Sequence, residues 1–216
     1  MLKVSENPPL LSPGCETLVQ LDGRWWIAHT KARSEKALAW DLLKRRIGYF
    51  LPLAQRVYFS GGKKRRVLLP LFPSYLFFCG SVDDRYAAMR TDRVARTLEV
   101  PDQAGLVAEL AAVERVLRQA TLEPYPCFPA GRRCRIVAGA FAGVEGIVVR
   151  QQSSTRIVLK VSAIAIGASM EIDSDLLEPV DAARTTGALD PGAQRAGGDG
   201  RRAFDQARPS APGTGA

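Results

Sequence analysis

The chain has 216 residues, a hydrophobic fraction of 46%, a charged fraction of 24% and a formal net charge of +8. These values are typical of a soluble globular protein of one or two domains, and they exclude a fibrous or wholly disordered chain. The longest apolar stretch, residues 67–78, contains two prolines and is too short to cross a bilayer. Because the first 14 residues also make a poor signal peptide, we expect a cytoplasmic protein with no membrane span.

The positive charge is concentrated in the first half of the chain. Residues 25–122 contain 17 lysine and arginine residues against 9 aspartate and glutamate residues, whereas residues 130–180 contain 6 against 5. A basic surface of this kind suits a polyanion such as nucleic acid. On charge alone, a basic surface that is only solvated is an equal alternative.

The predicted elements begin after a proline-rich start. Residues 1–24 lack hydrophobic periodicity, which predicts a flexible lead-in. Residues 25–30 are predicted to form a short strand and residues 33–46 a helix, because leucine and alanine repeat four positions apart there. Residues 49–60 return to strand character. The glycine pair that follows predicts a hairpin turn into four basic residues and a second strand at 67–69.

Three further elements complete the first predicted domain. Residues 74–79 are predicted to form an aromatic strand, residues 83–90 a short helix, and residues 105–120 a longer helix with one apolar face. Strands interleaved with a few helices, with a hairpin among them, indicate an α+β fold with an antiparallel sheet over residues 25–122.

The composition changes after residue 122. Residues 123–129 contain three prolines and are predicted to be a linker. Short β-rich runs separated by glycine, serine and alanine fill residues 130–180, which predicts a small β-barrel. In residues 181–216, 19 of 36 residues are alanine, glycine or proline, and this composition predicts a disordered tail.

The sequence offers no motif for catalysis or metal binding. His29 is the single histidine and ends a predicted strand, where a histidine is usually structural. The chain contains no G-x-S-x-G, P-loop, G-x-G-x-x-G or H-E-x-x-H motif. Its four cysteines include no C-x-x-C pair, so a zinc site is not expected. We therefore predict a protein that is not an enzyme and uses no cofactor or metal.

Three stretches in order resemble the NusG family, in which an N-terminal NGN domain is joined to a C-terminal KOW domain. The first is the strand at 25–30 followed by a basic helix. The second, at 70–77, is similar to the family's Pro-Leu-Phe-Pro-x-Tyr-Leu-Phe signature. The third, at 131–146, is similar to a KOW motif, and its matching residues are Gly139, Phe141, Gly143 and Gly146. The resemblance covers about residues 25–180 and implies this two-domain fold.

The resemblance implies that residues 70–77 dock on the clamp helices of the RNA polymerase β′ subunit. The contact residues that it implies are Phe72, Pro73, Tyr75 and Phe77. Strand alternation sends Tyr75 and Phe77 to one face and Leu76 and Phe78 to the other, so one face can serve the core while the other offers an apolar anchor. The alternative is that all these aromatic residues belong to the core.

The resemblance also places the start of the first helix near the non-template DNA strand and the upstream fork. Lys31, Arg33 and Lys36 lie there, and single-strand binding through them would depend on salt concentration. A solvated helix flank is the alternative for these three residues. By the same reasoning the hairpin tip is predicted to reach upstream DNA through Lys63, Lys64, Arg65 and Arg66.

In the family's housekeeping factor, the KOW domain binds Rho or the ribosomal protein NusE through an exposed apolar patch. The matching stretch here, residues 162–172, contains Ile164 and Ile166. An aromatic residue and an arginine that are common in the family are absent from it, so binding of NusE, the ribosome or Rho stays open. The alternative is that these isoleucines pack the barrel.

The resemblance leaves three functions to be separated. We favour a specialised, RfaH-like paralogue that binds polymerase at particular operons and promotes antitermination. Residues 70–77 resemble that branch, and the proline-rich start and the altered KOW patch also favour it. A housekeeping factor that links polymerase to Rho or the ribosome is the first alternative. A KOW protein that binds RNA or the ribosome is the second, and it predicts a basic barrel, whereas residues 130–180 are nearly neutral.

Overall fold

The computed structural model describes residues 6–12, 14–125, 131–151 and 154–180. These described residues belong to one compact unit. No helix among them is both long enough and apolar enough to cross a membrane. The tail predicted to be disordered, residues 181–216, lies outside the described residues.

The N-terminal part is a four-stranded antiparallel sheet with helices on both faces. Its elements are β1 (Arg24–Thr30), α1 (Glu35–Lys44), β2 (Gly48–Phe50), β3 (Leu53–Ser60), β4 (Lys63–Pro70), β5 (Tyr75–Gly80), α2 (Val82–Met89), β6 (Val94–Glu99) and α3 (Gln103–Leu117). The sheet has the order β2-β5-β1-β6, so β5 and β1 are its central strands. Strands β3 and β4 form a separate two-stranded ribbon.

Two apolar layers hold this sheet between its helices. On one face, Trp26 and Phe78 belong to a buried cluster with Leu38 of α1 and with residues of α2. On the other face, Ile27 and Phe77 belong to a cluster with apolar residues of α3. Because successive strand residues point to opposite faces, the central strands must be apolar on both sides.

Two strands differ from the sequence prediction. Residues 49–60 are predicted as one strand, but the chain leaves the sheet after Phe50, since Pro52 has no N–H to donate to a ladder, and continues as β3. The sequence does not predict β6. This edge strand pairs only with β1 and leaves all its side chains at least partly exposed, so its apolar alternation is weak.

The described part of residues 1–24 is packed on the sheet and on α3, which corrects the prediction of a flexible lead-in. Leu11 pairs with Phe50 in an isolated antiparallel bridge, so this segment covers the outer edge of β2. Leu18 is fully buried, and its N–H donates to Glu114 Oε2 of α3 at 2.9 Å. Leucines spaced this widely show neither helix nor strand periodicity, although they contribute apolar surface.

The C-terminal part is a six-stranded antiparallel sheet. Its strands are β7 (Glu123–Tyr125), β8 (Arg132–Ile136), β9 (Glu145–Gln151), β10 (Ser154–Val161), β11 (Ile166–Glu171) and β12 (Leu177–Pro179), in the order β12-β8-β9-β10-β11-β7. Ile136 of β8 and Met170 of β11 line one cavity although two strands separate β8 from β11, so the sheet is curved. The predicted fold class, an α+β NGN-like part joined to a small KOW-like β structure, is confirmed.

Strand β7 corrects part of the predicted linker. Residues 123–125 pair with β11, and Glu123 forms an ion pair of 2.7 Å with Arg156 of β10. Pro124 is tolerated because β7 is an edge strand with one neighbour only. The rest of the predicted linker, residues 126–129, lies outside the described residues.

Helix α3 joins the two parts of the molecule. It packs against β10, and its Glu109 accepts hydrogen bonds from the N–H and the hydroxyl of Ser162, at 2.7 and 2.5 Å. Arg115 of the same helix donates to the carbonyl of Ala140 at 3.1 Å. The predicted domains are therefore in direct contact in this structure.

Candidate functional site

The predicted polymerase contacts lie in β5 and in the turn before it, and they have two different environments. Phe72 and Phe77 are buried and meet edge to face, with ring centroids 5.9 Å apart. Pro73 is exposed and Tyr75 is half-buried. The burial of Phe72 and Phe77 therefore contradicts the prediction that these two residues contact polymerase. Phe72 and Phe77 belong to the apolar cluster on the α3 side of the sheet and Phe78 belongs to the cluster on the other side, so Phe72 and Phe77 offer no ring to a partner.

Tyr75 lies in a cross-strand row at the edge of the α3 side of the sheet. Its ring meets His29 edge on, with centroids 5.1 Å apart, and His29 lies opposite Arg96 of β6. His29 is half-buried and Arg96 is exposed. We call Pro73, Tyr75, His29 and Arg96 the docking surface.

A buried carboxylate fixes the turn at residues 71–74, which we call the docking turn. Glu35, at the start of α1, is 6% exposed, and its Oε1 accepts the N–H of Ser74 at 2.7 Å. Ser74 has a φ of 66°, which is uncommon for a residue other than glycine, and its carbonyl accepts the N–H of Thr30 at 2.8 Å. Sequence reasoning did not identify Glu35. Its one signal is an acid in the first turn of a helix, where the helix dipole already favours one.

Lys31 and Arg33 stay at the surface, as a role in nucleic-acid binding requires. Lys31 forms an ion pair of 2.5 Å with Asp92, and this hydrogen bond lowers the pKa of the Asp92 carboxyl. Arg33 is exposed with a φ of 59°, and no ion pair joins it to another described residue. Lys31 is therefore an exposed cation with one acidic partner, and Arg33 has no ion-pair partner among the described residues.

Lys36, unlike Lys31 and Arg33, is not fully exposed, and its position contradicts the prediction that it binds DNA. Its Nζ donates to the carbonyl of Leu68 in β4 at 2.5 Å. Burial lowers the pKa of Lys36, although the neighbouring Glu35 acts in the opposite direction. The Lys36 side chain is partly buried, and its ammonium group attaches the ribbon to α1 through this hydrogen bond.

The β3–β4 ribbon ends in a basic tip. Gly61 and Gly62 have φ values of 57° and 72°, the left-handed conformations that a two-residue type I′ turn requires. The four residues after the turn are all exposed and form no ion pair with another described residue; they are Lys63, Lys64, Arg65 and Arg66. The structure therefore brings these four predicted residues together at one end of the ribbon.

The residues of the KOW resemblance shape the turn between β8 and β9. Gly139 and Gly143 have φ values of 80° and 86°. Gly146 lies where an added Cβ would stand 2.7 Å from the carbonyl oxygen of Val158. Phe141 packs half-buried against the core. Gly139 and Gly143 are exposed at the turn, whereas Gly146 is buried where two strands approach closely.

The predicted KOW partner patch is turned towards α3. Ile164 is buried and Ile166 is half-buried, and the 3₁₀ turn Ser162–Ile164 contacts that helix. The burial of Ile164 therefore contradicts the prediction of an exposed contact and agrees with the alternative in which this isoleucine packs the core. The physical reason is that this turn lies against another apolar element, which removes the side chain from water.

No described part of the chain offers a metal centre. Among the described residues, no three His, Cys, Asp or Glu side chains are grouped to hold a metal ion. Burial raises the pKa of the Cys79 thiol to about 12, so this group is a protonated apolar side chain at neutral pH. That the protein uses no cofactor stays a prediction.

The fold defines a class of protein in which an NGN-like α+β sheet is followed by a KOW-like curved sheet. Residues 23–117 match the family model of NusG, described as transcription termination factor NusG. The likeness to NusG therefore covers 95 of the 216 residues, all in the N-terminal part of the chain.

Solved structures with a similar chain include a NusG and an Spt5 complex. NusG of Thermotoga maritima, in a structure concerned with its domain interaction, is 15% identical, covers 73% of this chain and 97% of its own, and has a TM-score of 0.40. A chain of the MjSpt4:Spt5 complex in conformation B is 16% identical, covers 74% of this chain and 99% of its own, and has a TM-score of 0.23. No curated protein matches the chain.

Proposed function

We propose that the protein is a non-catalytic transcription elongation and antitermination factor that binds RNA polymerase and non-template DNA at particular operons. The observation that carries this proposal is the NusG-family match over residues 23–117, together with a rigid, partly exposed docking turn within that range. Such a function would place the protein in the cytoplasm.

The docking surface supports binding to the clamp helices of the polymerase β′ subunit. Pro73 and Tyr75 combine a restricted backbone with an aromatic side chain, and aromatic residues are enriched at the centres of protein interfaces. The hydrogen bond from Ser74 to Glu35 fixes the turn before a partner binds, so little conformational entropy is lost on docking. Phe72 and Phe77 support this surface from beneath.

Two groups of cations support DNA binding. Lys31 and Arg33 lie at the start of α1, and the four residues Lys63–Arg66 lie at the ribbon tip. Phosphate binding by such exposed cations releases counterions, so the affinity should fall steeply as salt concentration rises.

The two alternatives receive less support. A housekeeping factor would present its KOW patch to Rho or NusE, whereas Ile164 is buried and the turn that carries it contacts α3. An RNA- or ribosome-binding KOW protein would carry its positive charge on the C-terminal sheet, whereas residues 130–180 contain 6 basic and 5 acidic residues. Operon specificity rests on the likeness of residues 70–77 to the specialised branch.

A pull-down with the tagged full chain separates these functions. We expect it to retain purified core RNA polymerase at moderate salt, and to retain neither purified ribosomes nor Rho. Capture of ribosomes with no polymerase would overturn the proposal and support the second alternative.

A further inference from the structure

The ribbon carries a surface that the basic tip alone does not explain. Phe59 is 74% exposed and Val57 is 46% exposed. In the ribbon register, Phe59 lies opposite Lys64 and Val57 lies opposite Arg66. Residues directly opposite each other share one face of an antiparallel pair. These four side chains therefore form one surface, which we call the outer ribbon face.

The outer ribbon face lies on the side of the ribbon opposite to Ala54 and Val67. Ala54 and Val67 alternate with the residues of that face along the two strands, and both are buried. Since alternate strand residues point to opposite sides, the side that carries Ala54 and Val67 is the inner one. Phe59 and Val57 are therefore left in water by the fold.

The base of the ribbon is attached to the rest of the domain. A two-stranded ribbon alone is marginally stable in water. Here the Nζ of Lys36 holds the carbonyl of Leu68, and the N–H of Leu71 donates to the carbonyl of Pro52 at 2.8 Å. These contacts attach the ribbon at its base, and Phe59 lies near the other end, with Lys64 opposite it.

The stretch of sequence that contains the ribbon carries charge of one sign. Residues 42–82 contain eight lysine and arginine residues and no aspartate or glutamate. A surface that served solubility alone would mix both signs. An aromatic ring beside uncompensated cations suits a ligand that has flat unstacked rings on a negatively charged backbone.

We propose that the outer ribbon face binds single-stranded nucleic acid, with an unpaired base stacked on Phe59 beside Val57 and phosphates bound by Lys64 and Arg66. This inference rests on the proposed function and deepens it, because it names residues and a strand state for the nucleic-acid contact. Duplex bases are stacked on one another and present their edges in the grooves, so duplex DNA offers the Phe59 ring no base face.

The test uses the full chain and a short fluorescein-labelled single strand of mixed sequence, with the same strand in a duplex for comparison. Affinities are measured by anisotropy at several salt concentrations for Phe59→Ala, Phe59→Leu and Phe59→Trp. Tyr86→Ala is the matched control, since Tyr86 is an aromatic residue on α2 that is 53% exposed.

We expect Phe59→Ala to weaken single-strand binding by roughly 5- to 150-fold, the range that loss of one base–aromatic stack gives. Phe59→Leu should weaken it similarly because it has no ring, whereas Phe59→Trp and the control should stay within about twofold of the wild type. Duplex affinity and the salt slope should be unchanged, since no charge is removed.

Wild-type single-strand affinity in Phe59→Ala or Phe59→Leu would overturn the stacking inference. If polymerase binding by those variants were normal, the proposed function would still stand. Loss of polymerase binding with normal strand binding would assign Phe59 to a protein contact and would also overturn the inference.

Discussion

Glu35 and Lys36 are neighbours in the first turn of α1, and each attaches another element to that helix. Glu35 accepts the N–H of Ser74 in the docking turn, and Lys36 donates to the carbonyl of Leu68 at the ribbon base. Both side chains are at least partly withdrawn from water, so each leaves an unsatisfied polar group if its partner is lost. One turn of helix thus positions both proposed contact surfaces.

Replacing Glu35 should therefore destabilise the domain. We expect Glu35→Ala to lower the free energy of unfolding by about 1–3 kcal/mol, because the partly buried Ser74 N–H loses its acceptor. Urea denaturation of the full chain measures the change, with the exposed Glu178→Ala as the control. A stability equal to that of the control would contradict a positioning role for Glu35.

Lys31 and Arg33 should act on DNA binding through charge alone. The double variant Lys31→Gln, Arg33→Gln should reduce the slope of log affinity against log salt by about 1.4 for single-stranded DNA, since each phosphate contact contributes about 0.7. Anisotropy titrations at several salt concentrations measure the slope, and the exposed Lys160→Gln in β10 is the control. An unchanged slope in the double variant would remove these residues from the DNA interface.

Elements with strong hydrophobic periodicity could be predicted from sequence. Strands β1 and β5 and helices α1 and α3 are found within a few residues of their predicted positions. Strands β6 and β7 could not be predicted in this way. Each is an edge strand that depends on a neighbour distant in sequence, so its own residues need not alternate strictly.

Strands β9 and β10 approach each other closely at Gly146. A Cβ at this position would stand 2.7 Å from the carbonyl oxygen of Val158 and 2.6 Å from the Ile157 side chain. Gly146→Ala should therefore lower the free energy of unfolding by about 1–3 kcal/mol through strain between β9 and β10. Thermal or urea unfolding measures it, with the exposed Ala138→Ser as the control, and an effect no larger than the control's would contradict this packing.

The candidate site was predicted in part. The basic residues of the ribbon tip follow a glycine pair, so their place on a turn follows from local sequence. The burial of Phe72 and Phe77 does not, because both rings belong to an apolar cluster that is completed by α3, an element distant in sequence. The role of Lys36 depends in the same way on β4, which lies 32 positions further along the chain.

At the scale of the whole molecule, α3 is the common support. Its residues form one apolar cluster with the sheet, with the segment that contains Leu18, and with the C-terminal sheet. The contact of Glu109 with Ser162 joins residues 53 positions apart, which no local pattern in the sequence indicates. The docking surface and the ribbon are both carried by this single compact unit.

The affinity of Tyr75→Ala for purified core RNA polymerase tests whether the docking surface binds polymerase. Without nucleic acid, this variant should bind roughly tenfold or more weakly than the wild type, because an aromatic interface anchor is lost. Its unfolding midpoint should be nearly unchanged, since Tyr75 is only half-buried. Phe59→Ala, the control, should bind polymerase normally. Wild-type affinity for polymerase in Tyr75→Ala would mean that the docking surface does not bind polymerase.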